Sequence, residues 1–443
     1  MNFRKPGWLE KYLAFRTTTP FAETLPSAPA GSPRDVRSAD AQDRAIYYFL
    51  QPTGLLYGFP VGMPFPALQY PWEKYLDSSE RVLLIFLETL FACLVAERHC
   101  LLERRGAART GVRRAARVVG WHFAHRPGWP DSDLWRMLSA LLPVLFPRGP
   151  LRKSERAFGH AISQGTRRLK LPGDYYNSFL FLDLYYCVQR QRRLMQAPNR
   201  RAAIAAELHA EQAAVRRAVL ELQIVAAHAS SGVDPAERRL FERFLLASGL
   251  PEAARKELRR SLKMGLAPDQ VTIPPLPWLL RRYCLESVLI TLLADGVVDA
   301  LERAFVERIA ERLGLGQDEL NQSQTAVEAF VLNQESTLHI VKARPQMLQL
   351  RDRLVERITI LLRKNLDHIV QEVRETHELY TLLMKSTHAP LTPEEKRKVR
   401  EQLVDIMKTV PTLAIVTVPG GTIWLAILIK LLPFNLLPSS FDD

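Results

Sequence analysis

The sequence is poor in cysteine, and this scarcity argues against two kinds of stabilised fold. Cysteine occupies only 4 of the 443 positions, at Cys93, Cys100, Cys187 and Cys284. No two of these residues form a Cys-x-x-Cys pair, so we expect neither a structural zinc site nor a disulfide framework. The expectation is reduced, buried thiols, as in proteins of the cytoplasm.

The motifs of common enzyme classes are also missing. The chain has no dinucleotide-binding Gly-x-Gly-x-x-Gly, no Walker loop, no His-Glu-x-x-His and no Gly-x-Ser-x-Gly. We therefore predict a protein that is not an enzyme and needs no cofactor. Residues 1–15 lack the long apolar core of a signal peptide, so we also expect that the protein is not exported.

Apolar and basic residues, in contrast, are plentiful. Hydrophobic residues make up 47% of the chain and charged residues 24%, which is typical of a globular protein. The formal net charge is +13. Such a surplus suits anionic partners, namely RNA, ribosomes or the acidic inner face of a membrane, without naming one of them. A general preference for arginine explains the charge equally well.

The N-terminal region, residues 1–205, is predicted to be helical after an irregular beginning. Residues 17–35 and 58–75 are rich in proline, which indicates a linker or loop and then a hairpin or extended crossover. Residues 80–98 are apolar almost all round except for Glu88. This segment is shorter than the ~20 residues of a membrane span and has a central carboxylate. We therefore predict a buried core helix rather than a membrane segment.

The middle region, residues 206–335, contains one pattern twice, at 226–250 and at 291–320. Each copy has an apolar helix, a glycine turn, an Asp-x-x-Glu sequence and an amphipathic helix that ends at glycine. The aspartate is predicted to cap the second helix, with the glutamate completing a capping box. The turn, capping and box residues are Gly232, Asp234 and Glu237 in the first copy, and Gly296, Asp299 and Glu302 in the second. Two such hairpins are expected to pack as a bundle.

The second copy resembles the TerB-like family, which is all-helical and is linked to metal-related stress and membrane-associated complexes. Its carboxylates Asp295, Asp299 and Glu302 could bind a divalent cation through oxygen ligands. However, the first copy has Ser231 in place of the first aspartate, and the spacing of a calcium loop is missing. Since capping explains the other acids, we prefer capping to a metal site.

Residues 336–390 are predicted to form a long amphipathic helix. Apolar residues recur at spacings of three and four across residues 344–388, between mostly charged positions. We expect either one long helix or two stacked helices. Packing against the preceding bundle is the preferred arrangement, with coiled-coil pairing as the alternative.

The C-terminal region, residues 391–443, begins with a third predicted capping box, formed by Thr392 and Glu395. A basic helix, residues 393–409, leads into residues 409–429, which carry no formal charge and have about the length of a bilayer span. This apolar segment is interrupted at Pro411, Pro419, Gly420 and Gly421. In lipid, the freed backbone groups need protein partners. A broken helix, a re-entrant hairpin and a pair of buried apolar helices all satisfy this requirement.

The C-terminal region resembles the motif of the leucine-zipper/EF-hand transmembrane (LETM) family. The matching residues are Leu391, Thr392, Glu395, Val410, Pro411, Pro419, Lys430, Leu431, Pro433, Leu437, Pro438, Ser439 and Phe441. Together with the TerB-like middle, the chain is similar to bacterial LETM-related proteins, some of which carry a biofilm-associated label. The resemblance implies a location at the bacterial inner membrane. If the segment spans, the basic residues before it place the bulk of the protein on the cytoplasmic face by the positive-inside rule.

Mitochondrial members of the LETM family are tied to potassium/proton or calcium/proton exchange and to ribosome binding. Those members have an acidic residue after the central proline, where this chain has Gly420 and Gly421, and a proton-coupled carrier needs such a carboxylate. Lys430 is the only charged candidate here, and a lysine can snorkel to the interface. Almost nothing follows Phe441, whereas their ribosome-binding part continues. Both departures argue against carrying these roles over.

The predicted fold is all-α, with a helical N-terminal domain, a TerB-like bundle, a long helix and an apolar LETM-type segment. Three hypotheses on function follow. The leading one is a non-enzymatic protein held on membrane lipids by the C-terminal motif, with the bundle as an interaction module. The second is exchange of a monovalent or divalent cation for protons, with a homo-oligomer as one arrangement. The third is a soluble, ribosome-associated or stress-response interaction protein whose apolar C-terminus packs inside the fold.

Overall fold

A computed structural model describes much of the chain. The described residues are 15, 19, 43–44, 46–47, 50–59, 63, 70, 76, 78–96, 179–229, 232–293, 300–333, 344–386, 388–409, 425, 427–428 and 431. Within these ranges the chain forms twelve α-helices and no β-strand. The all-α prediction is therefore confirmed. Among these helices, none combines the length and the apolar character that crossing a bilayer requires.

The helices are named α1 to α12 in chain order. Their bounds are α1 Ser78–Ala96, α2 Leu180–Gln196, α3 Arg201–Ala227, α4 Pro235–Ala247, α5 Glu252–Met264, α6 Trp278–Leu292, α7 Ala300–Arg312, α8 Gln317–Asn333, α9 Arg344–Lys364, α10 Leu366–Glu375, α11 His377–Ser386 and α12 Pro393–Thr409. Short 3-10 turns lie at Gln51–Thr53, Leu55–Tyr57, Pro198–Arg200 and Pro268–Gln270.

Helix α1 lies in the interior of the protein, where the sequence predicts a core helix. Leu84, Ile85 and Leu90 are fully buried, and so is the carboxylate of Glu88. The Tyr70 hydroxyl donates a hydrogen bond of 3.0 Å to Glu88 Oε2. A buried carboxylate needs such a donor, because water is not present to solvate it.

The two copies of the repeated pattern pack through their apolar helices, α3 and α6. Helix α6 is buried on all sides, as expected for a helix that is apolar around most of its circumference. Each copy also includes a third helix, which the sequence pattern does not show: α5 packs on α3, and α8 packs on α6. The amphipathic helices α4 and α7 are followed by Gly249 and Gly314, whose φ angles of 65° and 63° are left-handed and so favour glycine.

The larger of two hydrophobic cores crosses the predicted domain boundary near residue 205. Tyr47, Leu84 and Leu184 come from the N-terminal side of this boundary and are buried in one cluster with Leu220 and Leu285 from the bundle. The N-terminal segment and α2 therefore share the interior of the repeat helices.

The prediction of one long helix or two stacked helices over residues 344–388 is corrected, because the structure has three shorter helices, α9, α10 and α11. The first break is at Asn365, whose Nδ2 donates to the carbonyl of Leu361 at 2.8 Å. The second is at Thr376, whose hydroxyl donates to the carbonyl of Glu372 at 2.9 Å. Side chains that bond to nearby backbone offer an alternative to the helical ladder. The apolar spacing continues across both breaks and therefore hides them in the sequence.

The smaller core is formed by these three helices together with α12. The buried residues include Leu354 of α9, Ile369 of α10, Leu379 of α11 and Leu403 of α12. We call α9 to α12, with the described residues of 425–431, the C-terminal unit.

Candidate functional site

The first predicted capping box is present at the start of α4. The Asp234 carboxylate accepts a hydrogen bond of 2.6 Å from the backbone N–H of Ala236, and Asp234 N–H donates to Glu237 Oε2 at 2.8 Å. Pro235 is the first residue of the helix. Both acids thus stabilise the free N–H groups of a helix start.

The predicted metal ligands Asp295 and Asp299 lie outside the described residues, as does Gly296. Glu302 is in the first turn of α7 and is buried. Within the described part of the chain, no three metal-binding side chains come together. A cation site formed by these three carboxylates therefore stays a prediction.

The predicted capping box of Thr392 and Glu395 is present at the start of α12. Thr392 N–H donates to Glu395 Oε2 at 2.9 Å, and Glu395 N–H donates to Thr392 Oγ1 at 3.3 Å. Lys385 of α11 donates to the other carboxylate oxygen of Glu395 at 2.7 Å. The lysine, and then the Thr392 N–H, lower the pKa of Glu395. One residue of the LETM-like motif therefore caps a helix and joins it to α11.

Carboxylates offset much of the positive charge that the sequence shows on α12. Lys398 forms an ion pair with Glu378 of α11, and Gln402 Nε2 donates to the same carboxylate at 2.9 Å. The Lys398 hydrogen bond lowers the pKa of Glu378. Arg397 lies 3.8 Å from Glu401. The helix is therefore less basic towards a partner than its sequence suggests.

The apolar segment after α12 is described at four residues. Leu428 is fully buried in the smaller core, and Leu425, Ile427 and Leu431 pack against that core while partly exposed. The other predicted motif residues of this segment lie outside the described residues; they are Val410, Pro411, Pro419, Gly420, Gly421, Lys430, Pro433, Leu437, Pro438, Ser439 and Phe441. Cation/proton exchange through Lys430 stays a prediction for that reason.

A buried polar network that sequence reasoning missed lies where α6 meets α8 and the N-terminal segment. Its centre is the ion pair of Arg282 and Glu286, each 1% exposed, with Arg282 Nε donating to Glu286 Oε1 at 3.0 Å. The same oxygen accepts from the hydroxyls of Tyr47 at 2.6 Å and Ser323 at 3.1 Å. Arg282 Nη1 also donates to Gln322 Oε1 at 3.1 Å. We call these five residues the Glu286 network.

Aromatic rings surround the Glu286 network. The Arg282 guanidinium lies 4.2 Å from the centroid of the Tyr47 ring and 5.4 Å from that of Trp278, both favourable cation–π distances. Burial, followed by the negative charge of Glu286, raises the pKa of Tyr57 well above its usual value. This phenol therefore stays neutral beside the network.

A second buried network joins α2, α3 and the end of α4. Asp183 Oδ1 accepts from Arg216 Nη2 and from Gln212 Nε2, both at 2.8 Å. Arg216 Nη1 donates to the carbonyl of Ser248 at 3.0 Å. The sequence signal that could have identified the Glu286 network is the pair of opposite charges four positions apart in an apolar helix. The second network has no such signal, because Asp183 and Arg216 lie on different helices. Which groups they pair with depends on the tertiary fold.

Within the described residues the protein is all-α, and it has two hydrophobic cores and two buried networks that each contain an ion pair. Comparison with family models, with curated proteins and with solved structures gives no match. The resemblances to the LETM and TerB-like families accordingly stay predictions.

Proposed function

We propose that the protein is a non-enzymatic helical scaffold on the cytoplasmic face of the bacterial inner membrane, attached through its C-terminal unit. The observation that carries this proposal is the position of the exposed large apolar side chains. Of the five that are exposed in the described part of the chain, three lie on the C-terminal unit: Leu348 at 61%, Ile360 at 59% and Met384 at 38%.

The physical argument combines these side chains with the charge beside them. Arg363 is exposed one turn from Ile360 on α9, and Arg351 is exposed one turn from Leu348. Apolar side chains with neighbouring cations are typical of helices that lie in a membrane interface. Residues 409–429 carry no formal charge, and this apolar sequence next to α12 also supports the proposal.

Flotation of the full-length protein with vesicles of neutral phosphatidylcholine tests this attachment. We expect the wild-type chain to float and the double variant Leu348→Glu, Ile360→Glu to stay at the bottom. Leu246→Glu is a control for a single glutamate on another exposed apolar position, because Leu246 is exposed on α4, outside the C-terminal unit. Circular dichroism checks that all variants are folded. Equal flotation of the wild-type chain and the double variant would exclude attachment through α9.

A soluble interaction protein is the second candidate, and the burial of Leu428 favours it. A side chain that is buried in the smaller core does not contact lipid. Leu428→Ala is then expected to destabilise the C-terminal unit by about 2–5 kcal/mol. If the protein stays in the supernatant after vesicle sedimentation while this variant loses stability, the second candidate is preferred. Co-sedimentation with ribosomes that disappears as salt rises would then identify the partner.

A further inference from the structure

One face of helix α5 carries cations that form no ion pair with a described carboxylate. Lys256, Arg260 and Lys263 are exposed at spacings of four and three, so they lie along one side of the helix. The opposite side carries the buried Leu258 and Leu262. The three cations extend over about 10 Å of helix, roughly one Debye length at physiological salt, so they act together on a nearby charge.

The carboxylates near this face are already engaged with other arginines. Glu252 pairs with Arg255, and Glu257 pairs with Arg217 of α3 at 2.6 Å. On α4, Glu242 pairs with Arg259 at 3.0 Å. In the described part of the chain no acid forms an ion pair with the three exposed cations of α5.

Helix α4 adds positive charge beside α5. Arg238 and Arg239 are exposed, and the described residues offer neither an ion-pair partner. The Glu242–Arg259 ion pair joins the two helices. Arg238 lies one turn before Glu242 on α4, and Lys263 lies one turn after Arg259 on α5, so both cations are on the sides that face this ion pair. We call Arg238, Arg239, Lys256, Arg260 and Lys263 the basic face.

We propose that the basic face binds an anionic membrane surface. Met264, which immediately follows Lys263, is 76% exposed, the highest value among the exposed large apolar side chains. A flexible apolar side chain beside lysine and arginine suits insertion between lipid headgroups. No aromatic residue is among the exposed large apolar side chains of the described ranges, so these offer no platform for nucleic-acid bases. The inference rests on the proposed membrane attachment and adds a lipid-charge requirement to it.

Flotation of the full-length chain tests the proposal, with neutral phosphatidylcholine vesicles and with vesicles that also contain ~30% phosphatidylserine. We expect the anionic vesicles to bind the wild-type chain more tightly, and the increment to fall with added salt. The variant Lys256→Gln, Arg260→Gln is expected to lose about 30-fold in affinity for the anionic vesicles, at about fivefold per cation. Its affinity for neutral vesicles is expected to be unchanged.

Arg303→Gln, Arg308→Gln is the matched control, because both arginines are exposed on α7 without a described ion-pair partner and the net charge falls equally. A control that loses as much affinity as the α5 variant would show that net charge alone matters and overturn the proposal. So would equal binding of both vesicle types, or an α5 variant that loses affinity for RNA and none for vesicles. If the wild-type chain does not bind neutral vesicles, the C-terminal attachment is refuted independently of the basic face.

Discussion

Removing one member of the buried Arg282–Glu286 pair is expected to destabilise the larger core severely. The variant Glu286→Leu keeps a side chain of suitable size but takes away the acceptor of three hydrogen bonds, at 2.6, 3.0 and 3.1 Å. Arg282, which is 1% exposed, then stays in the interior without its carboxylate. Breaking a buried pair in this way typically costs about 3–5 kcal/mol.

The expected loss lowers the folding equilibrium constant by two to three and a half orders of magnitude, at about 1.4 kcal/mol per tenfold. Urea denaturation followed by circular dichroism measures it as a lower midpoint at unchanged slope. Tyr47→Phe removes a single hydrogen bond to a charged group and is expected to cost less, about 1.5–3 kcal/mol.

The double variant Arg282→Met, Glu286→Leu separates the cost of an isolated charge from the value of the pair. When apolar residues replace both partners, the cost of the isolated charge is absent, and stability is often unchanged or higher. We therefore expect the double variant to be more stable than Glu286→Leu. A loss below about 1 kcal/mol in the single variant, or an equal loss in both, would contradict this reasoning.

Three further predictions concern other parts of the fold. Burial raises the pKa of Cys187 and of Cys284 to about 12, so at pH ~8 only about 1 in 10⁴ of each thiol is ionised. Mass spectrometry after iodoacetamide treatment should therefore find both unmodified until urea is added. Asp234→Ala removes a helix cap and is expected to cost about 1 kcal/mol in urea denaturation, whereas Asp234→Asn should cost less. Lys398 holds the pKa of Glu378 below its usual 4.5, so this interaction stabilises the fold above that pH and is lost as pH falls through the lowered value. Acidification should therefore lower the melting temperature of the wild-type chain more than that of Glu378→Gln, and equal decreases would contradict the assignment.

The sequence predicts the features that depend on a few neighbouring residues. Two of the three predicted capping boxes lie within the described residues, and both follow from spacing alone. Asp234 and Glu237, like Thr392 and Glu395, need only the helix start that they cap. Helix α1 was recognisable as buried because nearly every side of it is apolar.

The features that depend on distant partners could not be predicted. Asn365 and Thr376 break an apolar pattern that continues without change in phase. Periodicity therefore predicts one or two helices where the structure has three that share the smaller core. Charge in the sequence was similarly ambiguous. Arg282 and Arg260 differ only in their surroundings, yet one forms a buried ion pair and the other is exposed.

The hydrogen bond from Tyr47 to Glu286 has a consequence for the order in which a nascent chain can assemble. The two residues are separated by 239 positions. At ~5–20 residues per second, synthesis reaches α6 about 10–50 s after Tyr47 has been made. During this interval α1 to α5 are made, but Tyr47 has neither Glu286 nor the other residues of α6 to contact. Tyr47 therefore cannot form this hydrogen bond until α6 has been made, and chaperone contact is most useful to this protein in that interval.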